Sequence, residues 1–254
     1  MAESKLKIDI RRNKILELLR QDGHVQVLQL SELLGATPVT IRTDLAAMEQ
    51  EGYLERVQGG AVQRLRPARL QQNVSIDREA EKQAIAALVS RKIRDGDTIF
   101  INSGTTTLCV AAALKEHLNL NVVTNSLQVA VELGSVPSFR VLLLGGEINA
   151  RYTFTSGSDA LEQLSHYQAD WAILAVDGVD LTGVTTYHPE EAGINRTMID
   201  RAKRTVIAAD HTKIGRAGFT HICDIGSGLT LATDAGSEAS ILERLEEAGL
   251  AILR

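Results

Sequence analysis

The sequence TIFINSGTTTL, residues 98–108, changes character midway. Its first four residues form an apolar run that predicts a buried β-strand, and a helix is expected to begin near Leu108. A small loop of Ser, Thr and Gly residues lies between them. Such a loop at a helix N-terminus presents backbone N–H groups, hydroxyls and the positive end of the helix dipole. The pattern therefore predicts a site for a phosphate monoester.

The same loop could also be an ordinary helix start. Ser and Thr are common helix caps, so this alternative remains open. A Walker A nucleotide-binding loop is excluded, because no Lys follows in the G-K-[ST] position. The loop residues that are candidates for holding the phosphate are Asn102, Ser103, Gly104, Thr105 and Thr106.

The alternation of apolar run, polar turn and helical stretch continues along the chain. A helix is predicted over Glu79–Ile93, and several apolar runs are nearly continuous in Val, Ile, Leu and Ala, as in buried parallel strands. This alternation predicts an α/β fold with a ligand site at the carboxyl ends of its strands. The predicted strands are Thr98–Ile101, Asn121–Thr124, Arg140–Leu144, Trp171–Val176, Arg204–Ala208 and Gly249–Leu253.

Polar or glycine residues also follow other predicted strands. Carboxylate, amide and ammonium groups at one edge of a sheet are what a polyhydroxylated anion requires around it. The candidate ligand residues outside the loop are Asn125, Gly145, Gly146, Asp177, Glu191 and Lys213. General acid–base catalysis uses the same residue types, so an enzyme that employs Asp177, Glu190, Glu191 or Lys213 remains an alternative.

The N-terminal part predicts three short helices. The first covers Asp9–Gln21 and stops at Gly23, and the second ends at Gly35, since glycine tolerates the positive φ of a helix end. Thr37 and Pro38 then provide an N-cap and a proline at the first helical position of the third helix. Two helices joined by a tight glycine turn form a helix-turn-helix unit, whose second helix can enter the major groove of DNA.

The third helix has an apolar face and a polar face. Ile41, Leu45 and Met48 recur at helical spacing and are expected to pack on the other helices. Two short strands around Gln58–Gly60 predict a hairpin, or wing, whose arginines suit phosphate contacts. A generic three-helix docking domain with a solvated charged face remains an alternative. The candidate DNA-binding residues are Thr37, Pro38, Val39, Thr40, Arg42, Thr43, Arg56, Gly59 and Gly60.

Composition and charge limit the class of protein. Of 254 residues, 44% are apolar, which supports a buried core. No window approaches the ~20 apolar residues of a membrane span, and the first residues are too charged for a secretory signal, so a cytoplasmic protein is expected. Two cysteines and six scattered histidines form no metal-binding pattern, so we expect no metal and no cofactor. The net charge is −5, but residues 1–70 carry 11 Lys and Arg against 9 Asp and Glu, an asymmetry that chance would also produce.

Three stretches near the N-terminus have the pattern of a known family of proteins. They are Ile10-Arg11-Arg12 with Ile15, Val39–Leu45 and Glu51–Ala61. Together they resemble the DNA-binding domain of the DeoR family of bacterial regulators, whose recognition helix usually reads T-I-R-R-D-L and whose wing ends in G-G-A. This chain has Thr43 in place of the second arginine of that motif. The resemblance implies a winged helix-turn-helix domain that binds double-stranded operator DNA.

The body contains, in order, the motifs Asp95–Phe100, Ser103–Thr106, Val123–Ser126, Leu144–Gly146, Val176–Asp180, Gly183–Thr186 and Asp210–Gly215. These resemble the sensor domain of the same family. The resemblance implies a fold similar to ribose-5-phosphate isomerases and the binding of phosphorylated sugars as inducers. Asn102 stands where the family often has Asp, and Ala175-Val176 replaces the more usual Gly-Ala or Gly-Thr.

We therefore expect a winged helix-turn-helix domain over residues 1–63, a linker over 64–77 and an α/β sensor domain over 78–254. The resemblance implies a repressor of a sugar-catabolism operon that a phosphorylated sugar releases from its operator, and not an enzyme. The alternative is a sugar-phosphate isomerase or deaminase with an accessory DNA-binding domain. Operators for this motif are usually two-fold, so a homodimer or homotetramer is expected.

Overall fold

The computed structural model describes residues 11–12, 14–19, 24–50, 54–57, 59–63, 78–226 and 228–254. The chain divides into two compact units, Met1–Gln72 and Asn73–Arg254, here the N-terminal unit and the C-terminal unit. The predicted helix stop at Gly23 and the predicted linker over residues 64–77 lie outside the described residues.

The N-terminal unit combines helices with a small antiparallel sheet. Its elements are helical residues 11–12 and 14–19, β1 (His24–Gln26), α1 (Val27–Leu34), α2 (Pro38–Gln50), β2 (Leu54–Val57) and β3 (Gly60–Gln63). The strand order is β1-β3-β2. The predicted end of α1 is confirmed, since Gly35 adopts a left-handed conformation with φ of 59°. The predicted cap of α2 is confirmed as well, because the Thr40 N–H donates to Thr37 Oγ1 at 3.2 Å.

The sequence did not predict β1, because three residues are too few to show a period. This strand pairs with β3, and the pairing corrects the expectation that Gly60 belongs to the turn of the wing. Gly60 is the first residue of β3, and a Cβ there would lie 2.0 Å from the Val25 carbonyl oxygen. The close approach of the two strands at this point therefore requires glycine.

A compact apolar core fills the N-terminal unit. Ile41, Leu45 and Met48 of α2 are fully buried, which confirms the predicted inner face of that helix. Asp44 on the same helix is also buried, and its carboxylate lies 2.5 Å from Arg11 Nε and 3.5 Å from Arg12 Nε. A buried carboxylate is tolerated only when it is paired, so these arginines hold α2 against the first helical segment.

The C-terminal unit contains a parallel sheet of seven strands in the order β15-β14-β12-β9-β4-β5-β6. These strands are β4 (Thr98–Ile101), β5 (Asn121–Thr124), β6 (Arg140–Leu143), β9 (Ala169–Ala175), β12 (Ala202–Ala208), β14 (Leu229–Ala232) and β15 (Ala251–Leu253). All six predicted strands are present, with ends shifted by up to two residues. The α/β fold class is confirmed.

Helices cover both faces of this sheet. They are α3 (Glu79–Ser90), α4 (Thr105–Leu114), α5 (Leu127–Gly134), α6 (Ser158–Ser165), α7 (Pro189–Asp200) and α8 (Ala239–Glu247). Ile99 and Ile101 pack in the apolar cluster on one face, and Phe100 packs in the cluster on the other. Burial on both faces explains why these strands read as continuous apolar runs. None of the helices in the described part of the chain is long and apolar enough to cross a membrane.

Two smaller sheets and a short turn lie beside the main sheet. They are formed by β7 (Glu147–Asn149) with β8 (Phe154–Ser156), by β10 (Gly178–Asp180), β11 (Gly183–Thr186) and β13 (Thr220–Cys223), and by the 3₁₀ turn η1 (His211–Lys213). Two helix ends differ from expectation, because α3 stops at Ser90 and α4 begins at Thr105 rather than near Leu108.

Candidate functional site

The connection from β4 to α4 lies at the carboxyl edge of the parallel sheet. Thr105 and Thr106 stand in the first turn of α4, and Gly104 is its N-cap. Because the N-cap is a glycine, no side chain of a described residue bonds to the N-terminal N–H groups of this helix. Gly104 has a φ of 152°, and a Cβ there would lie 2.6 Å from Ala175 Cβ. Only glycine therefore fits at this junction.

Asn102 joins the ends of β4 and β9 beneath this connection. Its side chain is fully buried, donates to the Ala175 carbonyl at 2.9 Å and accepts from the Ala175 N–H at 2.8 Å. Asn102 Nδ2 also donates to Asn195 Oδ1 at 3.0 Å. Asn195 of α7 is fully buried as well and was not predicted, because one asparagine in a helix gives no sequence signal. Asn102 and Asn195, which we call the amide pair, form the floor of the site.

Ser103 and Glu191 are in direct contact. Ser103 Oγ donates to Glu191 Oε1 at 2.8 Å, and Glu191 is only 5% exposed. Burial raises the pKa of Glu191 to about 7, although hydrogen bonds from Ser103 and Asn125 act to lower it. The negative charge of Asp177 adds to the increase. Glu191 is therefore poised to change protonation state near neutral pH.

Asn125 follows β5 and lies beside the same carboxylate. Asn125 Nδ2 donates to the Thr155 carbonyl at 3.1 Å, which ties β5 to β8. Asn125 Oδ1 is buried and has no hydrogen-bond partner among the described residues. A buried acceptor without a donor carries a desolvation cost, so it marks a position where a ligand donor would be stabilising.

Asp177 and Lys213 approach each other across the edge of the sheet. Lys213 Nζ lies 3.7 Å from Asp177 Oδ1, while Asp177 Oδ2 accepts from the Tyr187 N–H at 2.9 Å and from Thr186 Oγ1 at 3.1 Å. Both charged side chains are partly exposed. The pair thus offers a cation and a hydroxyl-accepting carboxylate at the rim of the site.

A buried lysine stands behind this rim. Lys82 Nζ on α3 lies 3.5 Å from Asp210 Oδ2, and both side chains are buried. Burial acts to raise the pKa of Asp210, but hydrogen bonds from Thr212 and the charges of Lys82 and Lys213 outweigh it and hold that pKa below its usual range. Lys82 was not predicted from the sequence. Its helical spacing to Ile85, on the apolar side of α3, was the available signal.

The two glycines after β6 are in contact with neighbouring elements of the structure. The Gly145 N–H donates to Gln163 Oε1 of α6 at 3.0 Å, and Gly146 lies against the backbone of Ser156. The β7–β8 hairpin that follows leans on the start of α7, because Asn149 Nδ2 donates to Glu190 Oε1 at 3.1 Å. The Tyr152 ring packs on His188 with centroids 4.3 Å apart.

The exposed face of α2 carries most of the candidate DNA-binding residues. Val39 is 69% exposed, and Arg42 is exposed with no hydrogen bond or ion pair to any described residue. Thr43 Oγ1 bonds the Val39 carbonyl of its own helix at 3.0 Å. Arg56 and Gly59 on the wing are exposed, whereas Gly60 is buried. In the part of the chain that the structure describes, no group of His, Cys, Asp or Glu side chains could hold a metal ion.

Comparison with known proteins gives matches over nearly the whole chain. Residues 11–64 match the DeoR-like helix-turn-helix domain, and residues 77–235 match the DeoR C terminal sensor domain. The glycerol-3-phosphate regulon repressor of Escherichia coli K12 is 34% identical over 93% of this chain and 95% of its own length. The transcriptional repressor CsqR of the same strain is 31% identical over 100% of this chain and 98% of its own.

Among solved structures, the chain is similar to ribose 5-phosphate isomerase A from Methanocaldococcus jannaschii. The TM-score is 0.40 with 16% sequence identity, over 54% of this chain and 55% of that one.

Proposed function

The chain belongs to the DeoR family of DNA-binding transcriptional repressors, and from that premise we propose that a phosphorylated sugar binds at the carboxyl edge of its parallel sheet and weakens its hold on operator DNA. One observation carries this proposal. The start of α4 has no side-chain cap among the described residues, and it directly follows Ser103, which donates to Glu191. Asp177, which lies 3.7 Å from Lys213, is close enough to raise the pKa of the same carboxyl group. Uncapped N–H groups at a helix start attract a phosphate, and the other groups suit sugar hydroxyls.

The chemistry of the rim supports a sugar rather than a bare anion. Three carboxyl or amide side chains, Asp177, Glu191 and Asn125, stand near one phosphate position, and a carboxylate binds an anion poorly but accepts well from hydroxyl groups. The relative from Escherichia coli K12 is named for a regulon of glycerol 3-phosphate, a phosphorylated polyol. A ligand with a phosphate at one end and hydroxyls at the other fits both observations.

The N-terminal unit supplies the DNA contact in this proposal. Val39, Thr40 and Arg42 on the outer face of α2 would reach base edges, and Arg56 on the wing would reach phosphates. The apolar face of α2 is buried, so α2 can enter a groove without exposing that core. We propose that the repressor acts in the cytoplasm as a homodimer or homotetramer on two-fold operators.

The isomerase or deaminase alternative has no support in the comparisons. The relatives described above match this chain over at least 93% of its length and are transcriptional repressors. Residue types that acid–base catalysis could use are thus assigned to ligand binding.

A thermal-shift panel tests the proposal most directly. A ligand that binds only the folded chain stabilises it by about 2.7 kcal/mol at 100 times its Kd. We expect at least one of ribose 5-phosphate, hexose phosphates and amino-sugar phosphates to raise the melting temperature, and its free sugar to do so far less. The same compound should release the protein from operator DNA in a gel-shift assay. Equal shifts with sugar and sugar phosphate would refute the phosphate site.

A further inference from the structure

The Ser103 hydroxyl carries one proton and already donates it. Its acceptor is Glu191 Oε1 at 2.8 Å, and Ser103 itself is 8% exposed. A hydroxyl group can donate only one hydrogen bond at a time. A phosphate at the start of α4 would therefore compete with Glu191 for this donor.

Loss of that donor would leave Glu191 in an unfavourable position. The Asn125 side chain and the Ser103 N–H still stabilise the carboxylate. It is only 5% exposed, however, so water cannot replace the lost hydrogen bond, and a buried charge with weaker compensation is costly. A phosphate dianion beside it would add like-charge repulsion. A neutral carboxyl group avoids both costs and can itself donate a hydrogen bond to the ligand.

The charges around Glu191 do not offset this effect. Asp177, which follows β9, is the charged group with the largest influence on Glu191, and it is negative; Lys213 lies 3.7 Å from Asp177. On the same helix, Glu190 stands next in sequence, 4.0 Å from His188 Nδ1. The helix also carries Arg196, which donates to the His221 carbonyl at 3.1 Å, and Asp200 at its end. β8 and β11, which pack against α7, have no titratable side chain.

Other elements that pack against α7 carry Asp159, Glu162, Asp170, Lys203, Arg204, His221 and Cys223. Of these, Asp170 pairs with Lys203 at the amino edge of the sheet, and His221 pairs with Asp224. Among the residues that the structure describes, none of these cations pairs with Glu191, so none of them keeps it ionised once Ser103 changes partner.

We propose that Ser103 transfers its hydrogen bond from Glu191 to the phosphate of the bound ligand, and that Glu191 takes up one proton from solvent in the same step. The inference rests on the proposed function, because it assumes a phosphorylated ligand at this site. No covalent bond to Ser103 breaks, since its O–H proton only changes acceptor. Because burial brings the pKa of Glu191 to about 7 in the free protein, a small perturbation is enough to protonate it near neutral pH. Ligand binding thereby becomes weaker as the pH rises.

Calorimetry in buffers of different ionisation enthalpy tests this inference. The probes are ribose 5-phosphate and glucose 6-phosphate at pH 8, where a phosphate monoester with a pKa of about 6 is already a dianion and takes up no proton. Glu191 is then about 90% ionised in the free protein, so binding should take up part of a proton per site, with a limit of about 0.9. Between pH 8 and pH 9 the association constant should fall, with a limit of about ninefold.

Two variants form a matched pair for this measurement. Glu191→Gln should bind the probe with no proton uptake and with no fall in affinity between pH 8 and pH 9. Glu190→Gln, which removes the neighbouring exposed carboxylate, should keep the uptake of the unmodified chain. If Glu191→Gln does not fold, the pH dependence of the unmodified chain decides alone.

The outcomes distinguish failure of the proton uptake from failure of the proposed function. Binding of either probe with an uptake near zero, or an uptake that survives in Glu191→Gln, overturns the proton transfer but leaves the proposed function intact. Failure of both probes and of every other phosphorylated sugar to bind removes the proposed function, and this inference falls with it.

Discussion

Lys82 and Asp210 form a buried ion pair, with 3.5 Å between Nζ and Oδ2. The pair connects α3, the first helix of the C-terminal unit, to the residue that caps η1. Asp210 also accepts from the Thr212 N–H at 3.1 Å, so its carboxylate organises the turn that carries Lys213. Because both side chains are buried, removal of either one would leave the other as an uncompensated buried charge.

Replacement of Lys82 by methionine should destabilise the C-terminal unit by about 3–5 kcal/mol, because Asp210 would keep a buried charge without its cation. Urea unfolding followed by circular dichroism measures the loss. Lys92→Met, at an exposed position just after α3, should change stability by less than about 0.5 kcal/mol. The double variant Lys82→Met with Asp210→Asn should recover much of the lost stability. No recovery would mean that the pair does not act as a unit.

Glu191 gives the stability of the protein a defined pH dependence. Its pKa is about 7 in the folded chain against an ordinary value of 4.5, so the folded state holds this proton more tightly than the unfolded state does. Its contribution to stability is complete below pH 4.5 and is lost as the pH rises through 7. Glu191→Gln should therefore melt at a higher temperature than the unmodified chain at pH 8, with a gain of roughly 1–3 kcal/mol, and show little difference at pH 5. A gain of the same size at both pH values would contradict this origin.

Arg42→Ala should weaken operator binding by roughly 1–3 kcal/mol without changing the fold, because the side chain is exposed on the outer face of α2. Gel-shift titrations at matched salt concentration measure the change. Arg140→Ala, which removes an exposed arginine from β6 in the other unit, is the control and should bind operator normally. Unchanged affinity of Arg42→Ala would exclude this residue from the interface. A monomer in light scattering with operator present would contradict the expected dimer.

Thr105→Asp should abolish the thermal shift produced by a phosphorylated sugar, since a carboxylate in the first turn of α4 would repel the phosphate. An acidic residue at a helix N-terminus is otherwise favourable, so the unliganded protein should keep its stability. Ser138→Asp, at an exposed turn, adds the same charge away from the site and should leave the shift unchanged. A full ligand response in Thr105→Asp would show that the phosphate does not bind at the first turn of α4.

Lys213→Ala should bind operator normally and resist release by the ligand. In the free protein Lys213 pairs with Asp177, and we expect the ligand to bridge these two side chains from different strand ends. A ligand shifts a conformational balance only through its different affinities for the two states, and coupling of about 1–3 kcal/mol would weaken operator binding some 5- to 150-fold. If the ligand released Lys213→Ala from DNA at the concentration that releases the unmodified protein, Lys213 would have no part in the ligand response.

Sequence patterns predicted the elements with a strong local signal and failed where partners are distant. The runs around Ile99 and Val206 are apolar on both faces of the sheet and were recognised, whereas β14, in which Thr230 interrupts the apolar run, was missed. The sequence also indicated candidate residues at strand ends, because parallel strands end at one edge, and their role in binding a ligand stays a prediction. The contacts between distant residues were not predictable from the sequence. Ser103 and Glu191 are 88 residues apart, and Lys82 on α3 reaches Asp210 at the start of η1.

The amide pair has a consequence for engineering new ligand responses. Asn102 and Asn195 are fully buried and hold the strand ends together, while Asp177 and Lys213 remain partly open to solvent. We expect the buried pair to maintain the fold, and we propose that the two partly exposed side chains determine which ligand the protein recognises. A combinatorial library that varies positions 177 and 213 and keeps 102 and 195 constant would therefore retain folded members while it explores new small molecules. Such a division is what a transcription-based biosensor needs from its starting protein.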